Sequence, residues 1–250
     1  MKLPDFIIIG ETKTGTTSLF NYLLEHPQIK NTLSEELIIE EVKELSDSQL
    51  SNSKEIRFFD RYYHKGLEWY KSKFPDTSYK EITGEATPMY MFRTITAYRL
   101  KKDVPEVKLI VLLRNPVDRL YSNFQHYKKY ISSWSEKYPS FEDYLNTCSD
   151  SDYYLIEKGL YVYTLQKWFK FFPRNQFIII STEEMKESSQ EVYSNILKFL
   201  GVDDFIIDDF KVHRENDYAP MKKETRDLLE DYYSPFNREL EKLLGKKFNW

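Results

Sequence analysis

Gly10-Glu11-Thr12-Lys13-Thr14-Gly15-Thr16-Thr17-Ser18 combines glycines, hydroxyls and one cation in a single turn. It follows a short apolar run and precedes a segment with helical spacing. Free backbone N–H groups and a helix dipole at such a junction favour an anion. Gly15 allows close approach, and the hydroxyls of Thr16, Thr17 and Ser18 add donors. The Gly10-to-Gly15 spacing fits the phosphate loop GxxxxGK[ST] of nucleoside triphosphatases, but Thr16 stands where the lysine belongs and Lys13 lies inside the loop. Taken alone, the segment also fits an ordinary helix-capping turn.

A second segment, residues 109–122 (LIVLLRNPVDRLYS), reads as a strand, then Arg114, a turn at Pro116 and a helix carrying Ser122. Arg114 is suited to fork onto phosphate oxygens, with the Ser122 hydroxyl as a further donor. A magnesium-using phosphate-loop enzyme calls for an acid near the end of such a strand. The cation found there fits a metal-free phosphate site instead. Two acids could serve as a general base: Glu55, which also reads as a salt-bridged surface acid beside Lys54, and Glu85, which also reads as an orienting or turn-capping group. His26, His64, His126 and His213 have no metal-ligand spacing and read as structural, and Cys148, the single cysteine, can form neither an intrachain disulfide nor a cysteine-based zinc site.

The elements that must position these residues follow from hydropathy patterning. Residues 5–9, 80–84, 108–113 and 176–181 are short apolar or β-branched runs that predict strands. Helical spacing predicts helices over 16–25, 91–102, 117–130, 158–171, 188–200, 222–233 and 235–244. Strands alternating with helices predict an α/β fold, a doubly wound and mainly parallel sheet whose ligands bind beyond the strand ends. At 250 residues, with 41% hydrophobic residues and no repeat or low-complexity linker, the chain is expected to be a single domain. Residues 31–53 hold six acids against Lys43, a net −5 that leaves the rest near +1. They read as an acidic inserted segment, a solvated surface helix or an acceptor-facing lid.

A formal charge of −4 argues against a general nucleic-acid binder. With no apolar run near the roughly 20 residues needed to span a bilayer and no charged-then-apolar leader, no membrane insertion and a cytoplasmic location are expected. Aromatic residues make up 16% of the chain, and many lie beside charges, as in Arg61-Tyr62-Tyr63-His64-Lys65. Some are expected to line a cleft and others to pack on the surface.

Together these segments resemble the sulfotransferases that use 3′-phosphoadenosine 5′-phosphosulfate (PAPS), in particular the branch of heparan sulfate N- and 3-O-sulfotransferases and their bacterial relatives. PDFIIIGETKTGTTS is similar to the family's 5′-phosphosulfate loop, LIVLLRNPVDRLYS to its 3′-phosphate motif, and KEIRFFD (54–60) with YHKGLEWY (63–70) to its acceptor-side motif. TGEATPMY (83–90), GLYVYTLQKWFKFFP (159–173) and the stretch 231–250 also follow its pattern, so the likeness runs almost end to end. The resemblance implies a sulfotransferase fold like that of the P-loop nucleoside triphosphatases, with PAPS as donor, no metal, and a small-molecule or glycan acceptor carrying a hydroxyl or amine. Residue by residue, it implies that Lys13 contacts the donor's sulfate and bridging oxygen, that Thr14, Gly15, Thr16, Thr17 and Ser18 hold the 5′-phosphate, and that Arg114 and Ser122 hold the 3′-phosphate. Glu55 falls on the catalytic glutamate, with Arg57, Asp60 and Glu85 at acceptor-side positions.

Three departures qualify the likeness. Ala86 follows Glu85 where the 3-O-sulfotransferases have a lysine. Glu215-Asn216-Asp217 stand where the heparan branch has a KGR-type loop, leaving Arg214 or Lys222 as substitutes. The paired cysteines of that branch are absent. Two other readings remain from the residues alone: a nucleoside-triphosphate-dependent kinase or hydrolase, and a non-catalytic nucleotide-binding protein.

Overall fold

Short runs of β-branched and aromatic residues become strands because their side chains pack well on a pleated, buried surface. In the computed structural model, which describes residues 2–32, 55–211 and 218–250, five runs do so. They are β1 (Phe6–Gly10), β2 (Ile29–Lys30), β3 (Ile82–Ala86), β4 (Lys108–Leu113) and β5 (Phe177–Ser181). The sheet order is β2-β3-β1-β4-β5, and every pairing is parallel. The chain passes from β1 to one side of the sheet and returns across it to β4 and β5. The end of β1 therefore lies where the strand order reverses, the position at which such sheets bind ligands.

All five residues of β1 are buried, as are Leu109 to Leu113 of β4, so both faces of the sheet centre are covered. Alternate residues Phe6, Ile8, Ile110, Leu112 and Ile180 form one core with the helices Thr16–Glu25 and Ser189–Leu200, which contribute Leu19, Phe20, Leu23, Tyr193, Ile196 and Leu197. Gly84 permits the close β1–β3 approach: a Cβ there would lie 2.5 Å from the Phe6 carbonyl oxygen.

The described residues fall into two compact units. One comprises the described part of Met1–Leu113 and Lys167–His213, and holds the sheet. The other comprises the described part of Arg114–Gln166 and Arg214–Trp250, and is helical. In the helical unit Leu120 and Phe124 of the helix Pro116–Tyr130 pack with Tyr144, Leu155, Leu229 and Tyr233. Among the described residues no helix is long and apolar enough to cross a membrane.

Several boundaries differ from those expected. The helices expected over 222–233 and 235–244 are one helix, Lys223–Leu244, with Pro235 inside it. Proline removes one helical hydrogen bond, but Leu229, Tyr233 and Leu240 lie on a shared buried stripe that holds both halves on one axis. The helix expected over 158–171 is Tyr161–Trp168, preceded by a separate helix Asp150–Glu157. Nearly all of the acidic segment 31–53 lies outside the described residues, as do Lys54, His213, Arg214 and Glu215 to Asp217.

Candidate active site

The loop after β1 is braced by its own backbone and by its neighbours in the sheet unit. The Glu11 amide donates to the Leu112 carbonyl at 2.8 Å. The Thr14 hydroxyl donates to the Glu11 carbonyl at 2.6 Å, and the Thr182 hydroxyl reaches the carbonyls of Thr14 (2.7 Å) and Leu113 (2.9 Å). The Thr14 hydroxyl is thus used within the loop, leaving its backbone N–H as the group open to a ligand role. Lys13 has φ 67° and Gly15 φ 90°, so two near neighbours adopt the left-handed conformation. That conformation costs a lysine about 1–2 kcal/mol and persists where the surroundings impose it. Gly15 is the N-cap of the helix Thr16–Glu25, with no side-chain cap and no acid in the first turn. Thr17 and Ser18 are half-buried and Thr16 is buried. An oriented set of amides with a cation in the loop suits a phosphate or sulfate group.

On the far side of β1, Glu85 of β3 is fully buried. Its Oε1 accepts from the Tyr70 hydroxyl (2.6 Å) and the Tyr90 hydroxyl (3.3 Å). Its Oε2 accepts from the Thr87 hydroxyl (2.6 Å) and the Ile56 amide (3.3 Å). Burial pushes the carboxyl up to about 7, although these four donors pull it back. Glu85 is therefore enclosed behind the turn that starts at Glu55, with both carboxylate oxygens engaged by protein donors.

The turn itself begins at half-buried Glu55. Arg57 has φ 57° and leads into a five-residue π-helical turn, Phe58–Tyr62. The Arg57 Nε donates to both carboxylate oxygens of Asp60, at 3.1 and 2.9 Å, and the Asp60 side chain is only 1% exposed. Asp60 thus serves to fix Arg57. Beneath them Phe58 stacks on Tyr70 at 4.6 Å, and Phe59 meets Tyr70 and Tyr90 edge-on at 5.0 and 5.7 Å. Arg99 donates to the Phe59 carbonyl at 2.7 Å.

In the helical unit Arg114 follows β4 directly in the chain, and its carbonyl accepts from the Tyr161 hydroxyl at 2.9 Å. The Asn115 side chain caps the next helix by accepting from the Val117 amide at 2.9 Å, with Pro116 in its first turn. Ser122, two turns in, is 1% exposed, and its hydroxyl has no hydrogen-bond partner among the described residues. A buried hydroxyl left without a partner is costly, so such a group calls for an acceptor. Lys222, one possible substitute in the 3′-phosphate clamp, is paired with Glu142 at 3.4 Å.

Sequence reasoning missed Tyr70, Thr87, Tyr90 and Thr182. Thr87 and Tyr90 lie within TGEATPMY and Tyr70 ends YHKGLEWY, so a buried hydroxyl pattern was visible there, though not its target. His26 is structural, with Nε2 2.9 Å from the Asp203 carbonyl oxygen.

A parallel sheet with a glycine-bearing loop at its switch point defines an α/β protein built to hold an anionic group. The chain belongs to the sulfotransferase domain family, whose model matches residues 3–238. It is 29% identical to mouse heparan sulfate glucosamine 3-O-sulfotransferase 3B1 across the whole of this chain and 65% of that protein. It is also 29% identical to human bifunctional heparan sulfate N-deacetylase/N-sulfotransferase 3, across 98% of this chain and 30% of that protein. The chain thus spans less than two thirds of the length of these relatives. A crystal structure of a sulfotransferase from Alicyclobacillus acidocaldarius superposes with a TM-score of 0.73 at 25% identity, covering 99% of this chain and 98% of the other.

Proposed function

We propose that this protein transfers a sulfuryl group from PAPS to a hydroxyl or amine of a carbohydrate acceptor. Membership of the family and the resemblance to heparan sulfate sulfotransferases support the reaction. The observation that carries the donor assignment is Ser122: a buried hydroxyl without a partner among the described residues, on the segment that resembles the 3′-phosphate motif. A donor with a 3′-phosphate gives that hydroxyl an acceptor, and Arg114 supplies the charge. Lys13 and the amides and hydroxyls of residues 14–18 take the 5′-phosphosulfate.

In the transfer the acceptor oxygen or nitrogen forms a bond to sulfur as the bond from sulfur to the 5′-phosphate oxygen breaks. Glu55 takes the acceptor's proton, and Lys13 neutralises the charge growing on the leaving oxygen. Both groups act by position, since the reacting atoms must be held in line. Arg57, fixed by Asp60, offers a guanidinium beside Glu55 for a polar acceptor.

The test is a transfer assay with PAPS over a panel of heparan-type oligosaccharides, lipid-linked sugars and small alcohols, read by the mass gain of one sulfuryl group. A PAPS-dependent gain on a sugar is expected. A gain on the alcohols alone would refute the carbohydrate acceptor, and phosphoryl gain from ATP with magnesium in place of PAPS would refute the donor.

A further inference from the structure

The reading of Glu55 as base leaves open what holds it in place, because a carboxylate on an irregular turn has no helix or strand of its own to fix it. Three backbone amides just after it lead to one atom pair. The Ile56 amide donates directly to Glu85 Oε2. The Arg57 amide donates to the Thr87 hydroxyl at 3.4 Å, and that hydroxyl donates to Oε2. The Phe59 amide donates to the Tyr90 hydroxyl at 3.3 Å, and that hydroxyl donates to Oε1. Each hydroxyl has one proton, and in this arrangement it points at the carboxylate while a lone pair faces the amide. With Glu85 ionised the bonds therefore run one way, from the turn through the hydroxyls to Glu85, and only a deprotonated carboxylate at position 85 satisfies them all.

We infer that Glu85 is a positioning residue: its buried carboxylate gathers the amides of Ile56, Arg57 and Phe59 and so fixes the turn that presents Glu55 and Arg57. This rests on the proposed role of Glu55. Other features favour a positioning role over a purely structural one. Glu85 belongs to a sheet strand, a rigid element, whereas the segment it holds has Arg57 in the left-handed region and a π-helical turn, conformations that need outside restraint. A buried carboxylate is also an expensive way to fill a core position that Leu or Met could occupy. A glutamine cannot replace it fully. An NH₂ at the Oε2 site would face the Ile56 N–H, a donor that cannot reverse, and at the Oε1 site it would leave the Tyr90 proton without its acceptor while Phe59 still donates to the same oxygen.

The experiment is amide hydrogen exchange, followed by NMR on the full chain, for wild type, Thr87→Val, Tyr90→Phe and Glu85→Gln, with transfer from PAPS to a heparan-type oligosaccharide measured in parallel. Thr87→Val is expected to speed exchange at Arg57, and Tyr90→Phe at Phe59, each by about ten-fold, the scale of one lost hydrogen bond. Glu85→Gln should speed exchange within residues 56–59 while Ile7 and Ile8 in β1 keep wild-type protection. Turnover should fall in all three variants with the affinity for adenosine 3′,5′-bisphosphate unchanged, and Glu85→Gln should cost little more in a Glu55→Gln background. Exchange rising equally across β1 and the turn would show a merely structural residue and overturn the inference, as would selective loosening with unchanged turnover. If wild type fails to sulfate the oligosaccharide, the acceptor reading falls. The exchange pattern then decides the positioning role alone: selectivity for the turn supports it and uniform exchange refutes it.

Discussion

Glu85 makes a prediction about stability that can be worked from its surroundings. Its carboxyl goes from an ordinary value of 4.5 in the unfolded chain to about 7 in the fold. Tyr70 and Tyr90, the titratable groups that donate to it, are pushed well above their usual value, first by burial and then by Glu85 itself, and stay protonated throughout this range. The Arg57 guanidinium is engaged with Asp60. Between these two values the folded state holds a proton that the unfolded state has released, so stability falls as pH rises. The contribution is fully present below pH 4.5 and is lost as pH passes 7. A shift of about 2.5 units at about 1.4 kcal/mol each amounts to roughly 3 kcal/mol. Other groups titrate over the same range, so the measurement is a difference: urea unfolding of wild type and Glu85→Gln from pH 4.5 to 8. Wild-type stability minus that of the variant should decline by about 3 kcal/mol over the range, most steeply between pH 5 and 7. A difference that stays flat, or rises with pH, would show that the four donors outweigh burial and would refute this account of the carboxylate.

Other outcomes follow from the same geometry. Ser122→Ala should leave stability unchanged or slightly raised, since it removes a buried hydroxyl without a partner among the described residues, while weakening adenosine 3′,5′-bisphosphate about ten-fold or more by calorimetry. Lys13→Ala should reduce turnover more than product-nucleotide affinity in steady-state and binding assays, because its charge serves the leaving oxygen. Gly84→Ala should destabilise the sheet by about 1–3 kcal/mol in denaturant, since its Cβ would collide with the Phe6 carbonyl and ring.

Much of this arrangement was legible in the sequence where the signal is local. β4 begins and ends as its apolar run does, and the helix Thr16–Glu25 follows from its Leu19, Phe20 and Leu23 spacing. β2 was not legible because two residues carry no periodicity. Pro235 read as a break, since the packing that overrides it comes from the stripe formed by Leu229, Tyr233 and Leu240. The two segments proposed to hold the donor's phosphates were picked out by composition and order. The resemblance favoured Glu55 over Glu85 as base, but the full burial of Glu85 was not legible in the sequence. Glu85's partners lie 15 and 29 residues away at Tyr70 and Ile56 and come together only in the folded sheet unit.

The central claim, a site built for a 3′-phosphorylated nucleotide donor, is tested most directly by calorimetry in the presence of a chelator with adenosine 3′,5′-bisphosphate and 5′-AMP, for wild type and Arg114→Ala. Wild type should bind the bisphosphate more tightly than 5′-AMP, and Arg114→Ala should lose most of that preference, about 1.5–3 kcal/mol for a charge-assisted contact. Equal binding of the two nucleotides by wild type would contradict the account.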